Sequence, residues 1–521
     1  MTSQRGLRAA GGALLALVLA AGIALRLSEM VQARLWLDEY LVLEIASQPT
    51  AGAVAGMLGH EANPPLYFLL AHAVLGTSAD PEVALRFVSF LAGVLTALLA
   101  AWTSWRRWGP VPSIVAATLI SLSAVAVHYS AEMRPFALLG LVTLLYLEIL
   151  DLELAAPSAA ALAAECLLIV LATSFHAYGA PLLFVGPAVC LTGGRLESLG
   201  RQILATAAAG VVLLPSVLLP LLRLPPETNE YLAVLWNGRG VLAPAHLVLR
   251  ELLPTSRGAS ALMLPADGFL RGTEGAAVLL VGAIALAALA AAASRRTAWR
   301  PDTYTRALFV LLAGNAVMAT LFTAIGRSMV APGRFAASLV APFALAVAAA
   351  GQARPVGRAL AAALAVLAVL AASFRVVHPP PRGLRPEALS AEVLGRNATG
   401  PSLVLTVGLT GVPLRYAFRA RPDVTFRTYP LEIEGHVGWW APRRALGRPD
   451  DLAHDADVLA RVASAAARSG ERVFLEGADH PVAAPLLRAL AGFFRPRPLN
   501  RLDAGLVELV PVENDAAANA R

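Results

Sequence analysis

Long apolar stretches separated by short polar segments dominate the first three quarters of the chain. A helix that crosses a bilayer needs roughly 20 predominantly apolar residues. Runs of that kind lie near 9–28, 84–104, 111–128, 135–150, 159–175, 178–192, 203–222, 275–294, 306–325, 334–350 and 358–375. The pattern therefore predicts an all-α polytopic membrane bundle with about eleven transmembrane helices.

The first apolar run has two interpretations, because a secretory signal peptide is also an apolar run near the N-terminus. Val31-Gln32-Ala33 resembles a small-residue cleavage site, yet the apolar run ends well before it. Further spans follow along the chain, so we predict that the first run is retained as a membrane helix.

The arginines in the short loops predict the orientation of the bundle, since basic residues are enriched in cytoplasmic loops. A cytoplasmic N-terminus places the following residues inside: Arg5, Arg8, Arg106, Arg107, Arg195, Arg201, Arg295, Arg296, Arg300, Arg354 and Arg358. The loops left outside are 30–83, with amphipathic helices, 129–134, 223–274, 326–333 and the chain after about 376. These loops carry acidic residues, histidines and aromatic residues, so we expect the chemistry there.

The C-terminal part has a different pattern, which predicts a membrane domain over 1–377 and a second domain over 378–521. His378 and the three prolines after it form a stiff linker. Strand-like runs at Leu403–Val407, Val424–Thr428, Arg472–Glu476 and Gly505–Val510 then alternate with helical patterns near 452–468 and 481–494. The alternation predicts a small extracytoplasmic α/β domain with a mostly parallel sheet. None of its strands leads into a glycine-rich phosphate loop.

Composition supports the membrane assignment and excludes several other classes of protein. Of the 521 residues 57% are hydrophobic and 15% charged, and the mean hydropathy is +0.64. All 42 basic residues are arginine, which is typical of a GC-rich bacterial genome, and the net charge of +7 is spread in small clusters. No basic stripe indicates nucleic-acid binding. Cys166 and Cys190 lie in apolar runs and predict neither a disulfide framework nor a metal site.

Polar residues that a bilayer would exclude gather at the outer ends of the predicted helices. Asp38 and Glu39 follow the first span, although by themselves they suit a first helical turn. Other clusters lie at His60-Glu61-Ala62-Asn63-Pro64-Pro65-Leu66-Tyr67, at His128 through Phe136, at Ser174 through Tyr178, and at Arg327 through Phe335. Simpler interpretations remain open: Glu132 and Arg134 can pair with each other, and His176 can be an interfacial histidine.

Taken in order, these motifs resemble a known enzyme superfamily. The order is LDEY, HEANPPLYFLL, LRFVSFLAGVL, HYSAEMRPFALL, SFHAY and APGRFAASLVAPFALA. The series is similar to the bacterial GT-C fold glycosyltransferases, and more narrowly to the protein O-mannosyltransferase and lipid A aminoarabinose transferase superfamily, family 39-like. The resemblance covers roughly residues 9–375.

The resemblance implies a role for several residues. Asp38 matches the catalytic aspartate of the first outer loop, and Glu39 accompanies it. The Asn-Pro-Pro-Leu-Tyr and Glu-x-Arg-Pro signatures match at Asn63–Tyr67 and Glu132–Pro135. Members often have Asp at the position of His60 or Glu61, and Gln at that of Ala131, so the second acidic residue stays open. The substrate-binding set is then His60, Glu61, Asn63, Tyr67, Arg86, Tyr129, Glu132, Arg134, His176, Tyr178 and Arg334.

The implied reaction is an inverting sugar transfer from a polyprenyl phosphate to an acceptor hydroxyl or phosphate on the outer face of the bacterial inner membrane. A carboxylate such as Asp38 would be the base. Arg134, Arg334 and His176 would stabilise the departing phosphate. No cofactor and no metal are predicted. The expected partners are the lipid-linked sugar, a lipid, glycan or protein acceptor and the membrane lipids, without nucleic acid.

Two alternatives belong to other classes of protein. A multi-pass transporter or lipid flippase predicts ionisable residues in the middle of spans and a pseudo-repeat. A non-catalytic membrane scaffold that displays its C-terminal domain predicts that Asp38 is dispensable.

Overall fold

The structure is a computed structural model. It describes residues 2–58, 63–77, 80–219, 243–253, 301–324, 330–331, 333–353, 355–377, 386–434, 440, 442–499 and 505–512. His60, Glu61 and the predicted span 275–294 lie outside the described residues. The chain divides into two compact units. The first comprises Met1–Ala33, Asn63–Arg223 and Asn229–Pro380, and the second comprises Arg34–Ala62, Leu224–Thr228 and Pro381–Arg521.

The described part of the chain up to residue 377 is helical. Its α-helices are α1 Thr2–Gln32, α2 Leu37–Ala46, α3 Ala51–Met57, α4 Leu66–Leu75, α5 Pro81–Trp108, α6 Pro110–Leu122, α7 Ala124–Tyr129, α8 Phe136–Ala155, α9 Ala159–Phe175, α10 Leu182–Gly193, α11 Leu196–Leu213, α12 Ala243–Leu252, α13 Thr303–Ala324, α14 Arg334–Ala337, α15 Val340–Ala353 and α16 Pro355–Val377. A 3₁₀ turn at Ala177–Gly179 precedes α10, and a π-helical turn at Leu214–Leu218 follows α11.

Membrane-spanning length is reached by fewer helices than the sequence predicts. Within the described residues four helical segments are long and apolar enough to cross a bilayer, namely Ala9–Gln32, Pro81–Trp108, Thr303–Ala324 and Gly357–Val377. Shorter apolar helices include Pro110–Leu122, Ala159–Phe175, Ala177–Gly193 and Val340–Gln352. The chain is thus a membrane protein, and the predicted number of eleven spans is not confirmed.

Local sequence explains the bounds of α5, one of the long helices. The side chain of Asp80 accepts hydrogen bonds from the backbone N–H groups of Glu82 and Val83, and Pro81 occupies the first turn, where its missing N–H costs nothing. The helix ends at Gly109, whose φ of 88° is left-handed. Arg106 and Arg107 in the last turn favour the negative end of the helix dipole.

Helix α8 separates two polar clusters in the first unit. At its C-terminal end Glu148 and Asp151 pair with Arg106 and Arg107 of α5 at 2.5 and 2.7 Å, and Glu153 pairs with Arg201 at 2.6 Å. Its N-terminal end directly follows the Glu-x-Arg-Pro motif. The 20 residues of α8 are about 30 Å long, close to the thickness of a bilayer's hydrocarbon core. Its acidic last turns also explain why this helix is absent from the four apolar segments.

The predicted span 111–128 is broken at Ser123, where α6 ends and α7 begins. The last carbonyl groups of an α-helix have no partner inside the helix. Arg26 of α1 donates to the carbonyl oxygens of Ile120 and Ser121, both at 3.0 Å, and Arg375 of α16 donates to that of Leu122. The Ser123 hydroxyl then caps α7. Two arginines from distant parts of the sequence therefore satisfy the end of α6.

The C-terminal part of the second unit is an α/β fold. Its helices are α17 Pro386–Asn397, α18 Gly411–Ala417, α19 Pro442–Leu446, α20 Pro449–Arg468 and α21 Ala484–Leu490, and its strands are β1 Ser402–Val407, β2 Val424–Tyr429, β3 Arg472–Glu476, β4 Phe494–Pro498 and β5 Val507–Pro511. The strand order is β2-β1-β3-β5-β4. Helix α20 buries Leu452, Ala456, Leu459 and Ala463, at helical spacing, in the core against one face of the sheet.

Two details of this sheet differ from the prediction. Strand β1 pairs in parallel with β2 and β3, but β5 pairs antiparallel with both β3 and β4, so the sheet is mixed rather than mostly parallel. Strand β4 was not predicted, because its sequence FRPRP contains two prolines and reads as a loop. It is an edge strand, where proline is tolerated. The segment 34–62, predicted as part of an outer loop of the membrane domain, belongs to the second unit.

Candidate active site

The turn between α7 and α8 holds a histidine–carboxylate pair whose carboxylate is buried. His128 Nε2 lies 2.8 Å from Glu132 Oε1, and Glu29 Oε1 of α1 lies 3.6 Å from His128 Nδ1. Glu132 is buried, and its Oε2 atom has no hydrogen-bond partner among the described residues. A buried carboxylate oxygen that accepts no hydrogen bond is energetically unfavourable. It is therefore suited to accept a hydrogen bond from a bound hydroxyl group.

Arg134 follows in the same turn and is also buried, with 5% of its surface exposed. The Ser89 hydroxyl of α5 donates to the Arg134 carbonyl oxygen at 3.2 Å, and the Arg134 backbone N–H donates to the carbonyl oxygen of Glu132 at 2.8 Å. These backbone contacts fix the turn. The guanidinium carbon lies 6.0 Å from the centre of the Phe136 ring. The turn thus holds a cation in a largely apolar environment.

His176 lies at the junction of α9 and the 3₁₀ turn. Its Nδ1 atom accepts a hydrogen bond from the N–H of Tyr178 at 3.1 Å, so the ring proton resides on Nε2. The Tyr178 hydroxyl accepts a hydrogen bond from the N–H of Ala331 at 3.1 Å. Gly179 is required here, because a Cβ atom would lie 2.5 Å from the Ala172 carbonyl carbon. The junction therefore has a fixed conformation.

A continuous row of rings connects these elements. Tyr129 and Phe136 lie 5.0 Å apart, Phe136 and His176 5.1 Å, His176 and Tyr178 4.1 Å, and Tyr178 and Phe335 4.8 Å, measured between ring centres. The rings come from α7, α8, the junction after α9 and α14. Sequence segments around residues 129, 176 and 335 therefore meet in the first unit.

Arg334 is the first residue of α14, next to Phe335 in this row. Gly333 before it has a φ of 73°, and its N–H donates to Glu251 Oε1 at 2.7 Å. Burial, together with the positive charges of Arg134 and Arg334, lowers the pKa of His176 to about 3. His176 is therefore neutral at pH 7. It can offer a hydrogen bond from Nε2, but it is not the third cation that the sequence suggested.

The remaining predicted residues of the first unit lie at other helix starts. Arg86 of α5 is buried and donates to the Ala33 carbonyl oxygen at 2.6 Å. Asn63 lies just before α4, and Tyr67 is buried in its first turn. His60 and Glu61 of the same motif lie outside the described residues.

The two acidic residues of the LDEY motif have different environments in the second unit. Glu39 is 1% exposed, and its Oε2 accepts a hydrogen bond from the Trp36 N–H at 3.3 Å, which caps the start of α2. Asp38 is in the first turn of the same helix and is partly exposed. Capping is therefore the task of Glu39.

Two buried ionisable residues inside helices are not among the residues predicted from the sequence. Arg26 is 1% exposed, and Glu165 of α9 is 1% exposed and accepts a hydrogen bond from Gln202 at 3.0 Å. Glu165 is the single charged residue of the apolar helix α9, and Arg26 is buried near the end of α1; such buried charges indicate a functional or structural role. Ionisable residues are therefore not confined to the helix ends.

No protein-family model matches the chain, and no curated protein matches it. Among solved structures, ArnT from Cupriavidus metallidurans in the apo state is 14% identical over 96% of this chain and 98% of that chain, with a TM-score of 0.45. ArnT from the same organism bound to undecaprenyl phosphate is 14% identical over 96% of this chain and 98% of that chain, with a TM-score of 0.44. The Archaeoglobus fulgidus oligosaccharyltransferase in complex with Zn and sulfate is 11% identical over 96% of this chain and 73% of that chain, with a TM-score of 0.45.

Proposed function

We propose that the protein is an inverting glycosyltransferase that moves a sugar from a polyprenyl phosphate to an acceptor hydroxyl or phosphate. The observation that carries the proposal is the set of polar groups along the ring row, because such groups are costly in a membrane protein unless they are used. The buried Glu132 lies on one turn with the cation of Arg134, and the charges of Arg134 and Arg334 both act on the neutral His176.

The donor phosphate would bind to the basic members of this set. A phosphate that departs from the sugar gains negative charge, and preorganised donors in a poorly hydrated site stabilise that charge. Arg134 and Arg334 would supply positive charge, and their planar guanidinium groups suit phosphate oxygens. His176 would add a neutral hydrogen bond from Nε2. Tyr129 and Tyr178 would form the walls of the site.

The acceptor hydroxyl would need a base and an orienting group. Asp38 would accept the hydroxyl proton as the anomeric carbon is attacked from the face opposite the phosphate, which inverts its configuration. Glu132 is the residue we assign as the second acid, because its Oε2 atom is buried and lacks a donor among the described residues. It would orient the acceptor, with His128 holding its other oxygen at 2.8 Å.

A lipid or small-molecule transporter is the second candidate, and Glu165 is the observation that favours it. Glu165 of α9 is a buried carboxylate that accepts a hydrogen bond from Gln202 of α11. Proton-coupled transporters use buried carboxylates of this kind. Transfer of sugar by the purified protein without a gradient separates the two functions, because transport alone forms no glycosidic bond.

Donor binding gives the sharpest test of the enzymatic proposal. Arg134→Ala should weaken binding of a polyprenyl-phosphate sugar by roughly tenfold or more, since a hydrogen bond to a charged group contributes about 1.5–3 kcal/mol. Arg106→Ala is the matched control: it removes a half-exposed arginine of the same unit that pairs with Glu148 near the C-terminal end of α8. Equal binding by both variants would contradict the phosphate site.

The proposed location is the bacterial inner membrane, with the C-terminal domain outside the cytoplasm. Ala420 is exposed in that domain, so Ala420→Cys provides a label site. In spheroplasts whose chain lacks Cys166 and Cys190, we expect reaction with a membrane-impermeant maleimide. Protection until the membrane is lysed would reverse the orientation.

A further inference from the structure

Helix α2, which carries Asp38, packs within the second unit together with the C-terminal α/β fold. We propose that this fold is the platform that positions the base, with Arg415 and Tyr416 of α18 as positioning residues for Asp38. The inference rests on the proposed function and assigns the C-terminal domain a role in the same reaction.

The first connection is an ion pair between two helices far apart in sequence. Arg415 NH2 lies 3.1 Å from Glu44 Oε1 and 3.3 Å from Oε2, while NH1 donates to the Thr428 hydroxyl at 3.2 Å. Thr428 Oγ1 is 3.3 Å from Thr406 Oγ1 on the neighbouring strand. These contacts connect α2 through α18 to β2 and β1 of the sheet.

Ring packing provides a second connection one turn earlier in α2. Tyr40 meets Tyr416 edge to face, with ring centres 5.6 Å apart and an interplanar angle of 60°. Residues four apart lie on the same face of a helix, so Tyr40 and Glu44 contact α18 from one side of α2. Two adjacent residues of α18 thus hold two adjacent turns of α2.

Asp38 lies on nearly the opposite face. Successive residues of an α-helix are rotated by about 100°, so Asp38 is turned by roughly 200° from Tyr40. Val42 and Ile45 lie within roughly 40° of Asp38 around the helix axis, and both are 0% exposed. That face of α2 is therefore buried beyond the first turn, while Asp38, in the first turn, is partly exposed.

The ion pair is suited to a positioning task rather than to a large contribution to folding. Its side chains keep 29% and 27% of their surface exposed, and ion pairs with that degree of exposure contribute little to stability. Burial raises the pKa of Glu44, and Arg415 opposes that rise. Loss of Arg415 would leave a half-buried carboxylate that favours water, which would draw α2 away from α18.

The experiment compares Arg415→Ala and Tyr416→Ala with a matched control, Arg396→Ala, whose ion pair with Glu392 lies within α17. Three quantities are measured on the purified full-length protein: hydrogen exchange of the α2 backbone amides, kcat, and the Kd of the lipid donor. A displacement of about 1 Å at a reacting group can lower a rate by roughly 100-fold. We expect faster exchange in α2, a kcat lower by about tenfold or more, and an unchanged donor Kd.

Charge reversal keeps the test meaningful if an alanine variant unfolds. The double variant Glu44→Arg with Arg415→Glu should restore kcat to within a few-fold of wild type, whereas each single reversal should lower it. Unchanged kcat in Arg415→Ala with faster α2 exchange would overturn the platform while leaving Asp38 as the base. Full activity of Asp38→Asn would instead overturn the proposed function, so the two failures are distinguishable.

Discussion

Nε2 of His128 and Oε1 of Glu132 are 2.8 Å apart, across the turn that joins α7 to α8. The sequence left open a pair between Glu132 and Arg134, but the carboxylate forms its ion pair with the histidine instead. Glu29 approaches the other ring nitrogen at 3.6 Å, so the imidazole lies between two carboxylates. The pair thereby sets the direction of the Glu132 carboxylate and of its second oxygen.

A double-mutant cycle should detect this pair. Glu132→Gln and His128→Asn each keep the approximate shape of the side chain but remove one partner. We expect each to lower the free energy of unfolding by about 1–3 kcal/mol. Groups in direct contact are also expected to show a coupling of about 0.5–3 kcal/mol. Thermal unfolding of the four proteins in the same detergent provides the measurement, and strictly additive losses would contradict the pair.

Arg26 should be a stability residue rather than a catalytic one. It donates to the carbonyl oxygens of Ile120 and Ser121 at the end of α6, to that of Gly22, and to the Ser130 hydroxyl. Arg26→Met keeps much of the volume but removes these bonds, so we expect a loss of roughly 3 kcal/mol or more. Arg106→Met, at a half-exposed arginine, should change the melting temperature little. Equal melting temperatures of the two variants would refute this role.

His176 should make stability depend on pH. Its pKa is lowered from 6.5 to about 3 in the folded state, by burial and then by Arg134 and Arg334. The unfolded chain therefore binds a proton near pH 6.5 that the folded protein does not bind. This residue's contribution is fully present above about pH 6.5 and falls as pH decreases toward 3, by up to about 1.4 kcal/mol for each pH unit.

His176→Gln should flatten that dependence, because glutamine does not titrate. It can still donate a hydrogen bond, so we expect it to keep more activity at pH 7 than His176→Leu. The measurement is thermal unfolding of wild type and both variants between pH 4 and 8. An unchanged slope in His176→Gln would show that other groups cause the pH dependence.

The sequence predicted the features that depend on local pattern. Apolar runs indicated the membrane helices. Strands β1, β2 and β3 were located to within a residue or two, because short runs rich in β-branched and aromatic residues have clear ends. The clusters around Tyr129, His176 and Phe335 all lie at helix ends, and they meet through their rings. Strand β4 was missed because pairing at an edge overrides the preference of its prolines.

Features that depend on distant partners could not be predicted. The break in the span 111–128 at Ser123 needs Arg26 and Arg375, which come from α1 and α16. Segment 34–62 belongs to the second unit, where Glu44 pairs with Arg415, although 371 residues separate them. The sequence around each of these residues gives no indication of its distant partner.

Asp38→Asn should abolish sugar transfer and leave folding and donor binding intact. Amide and carboxylate groups have nearly the same shape, so packing around residue 38 changes little. The amide cannot accept a proton at neutral pH, and the contribution of general base catalysis, typically about 10²–10⁴-fold, is lost. The rival explanation is that the Asp38 carboxylate only stabilises the start of α2, where its interaction with the helix dipole contributes about 0.3–1 kcal/mol.

Glu39→Gln separates these explanations, because Glu39 accepts the hydrogen bond from the Trp36 N–H that caps α2. Glutamine can still accept that bond, so the variant removes a neighbouring negative charge from the same helical turn while it keeps the cap. If only helix stabilisation matters, the two variants should lose similar, small amounts of stability and activity. If Asp38 is the base, transfer disappears in Asp38→Asn and persists in Glu39→Gln, at equal melting temperature and equal donor affinity. Turnover by Asp38→Asn close to that of Glu39→Gln would exclude Asp38 as the base. Another carboxylate would then accept the proton, and Glu132 is the first to test.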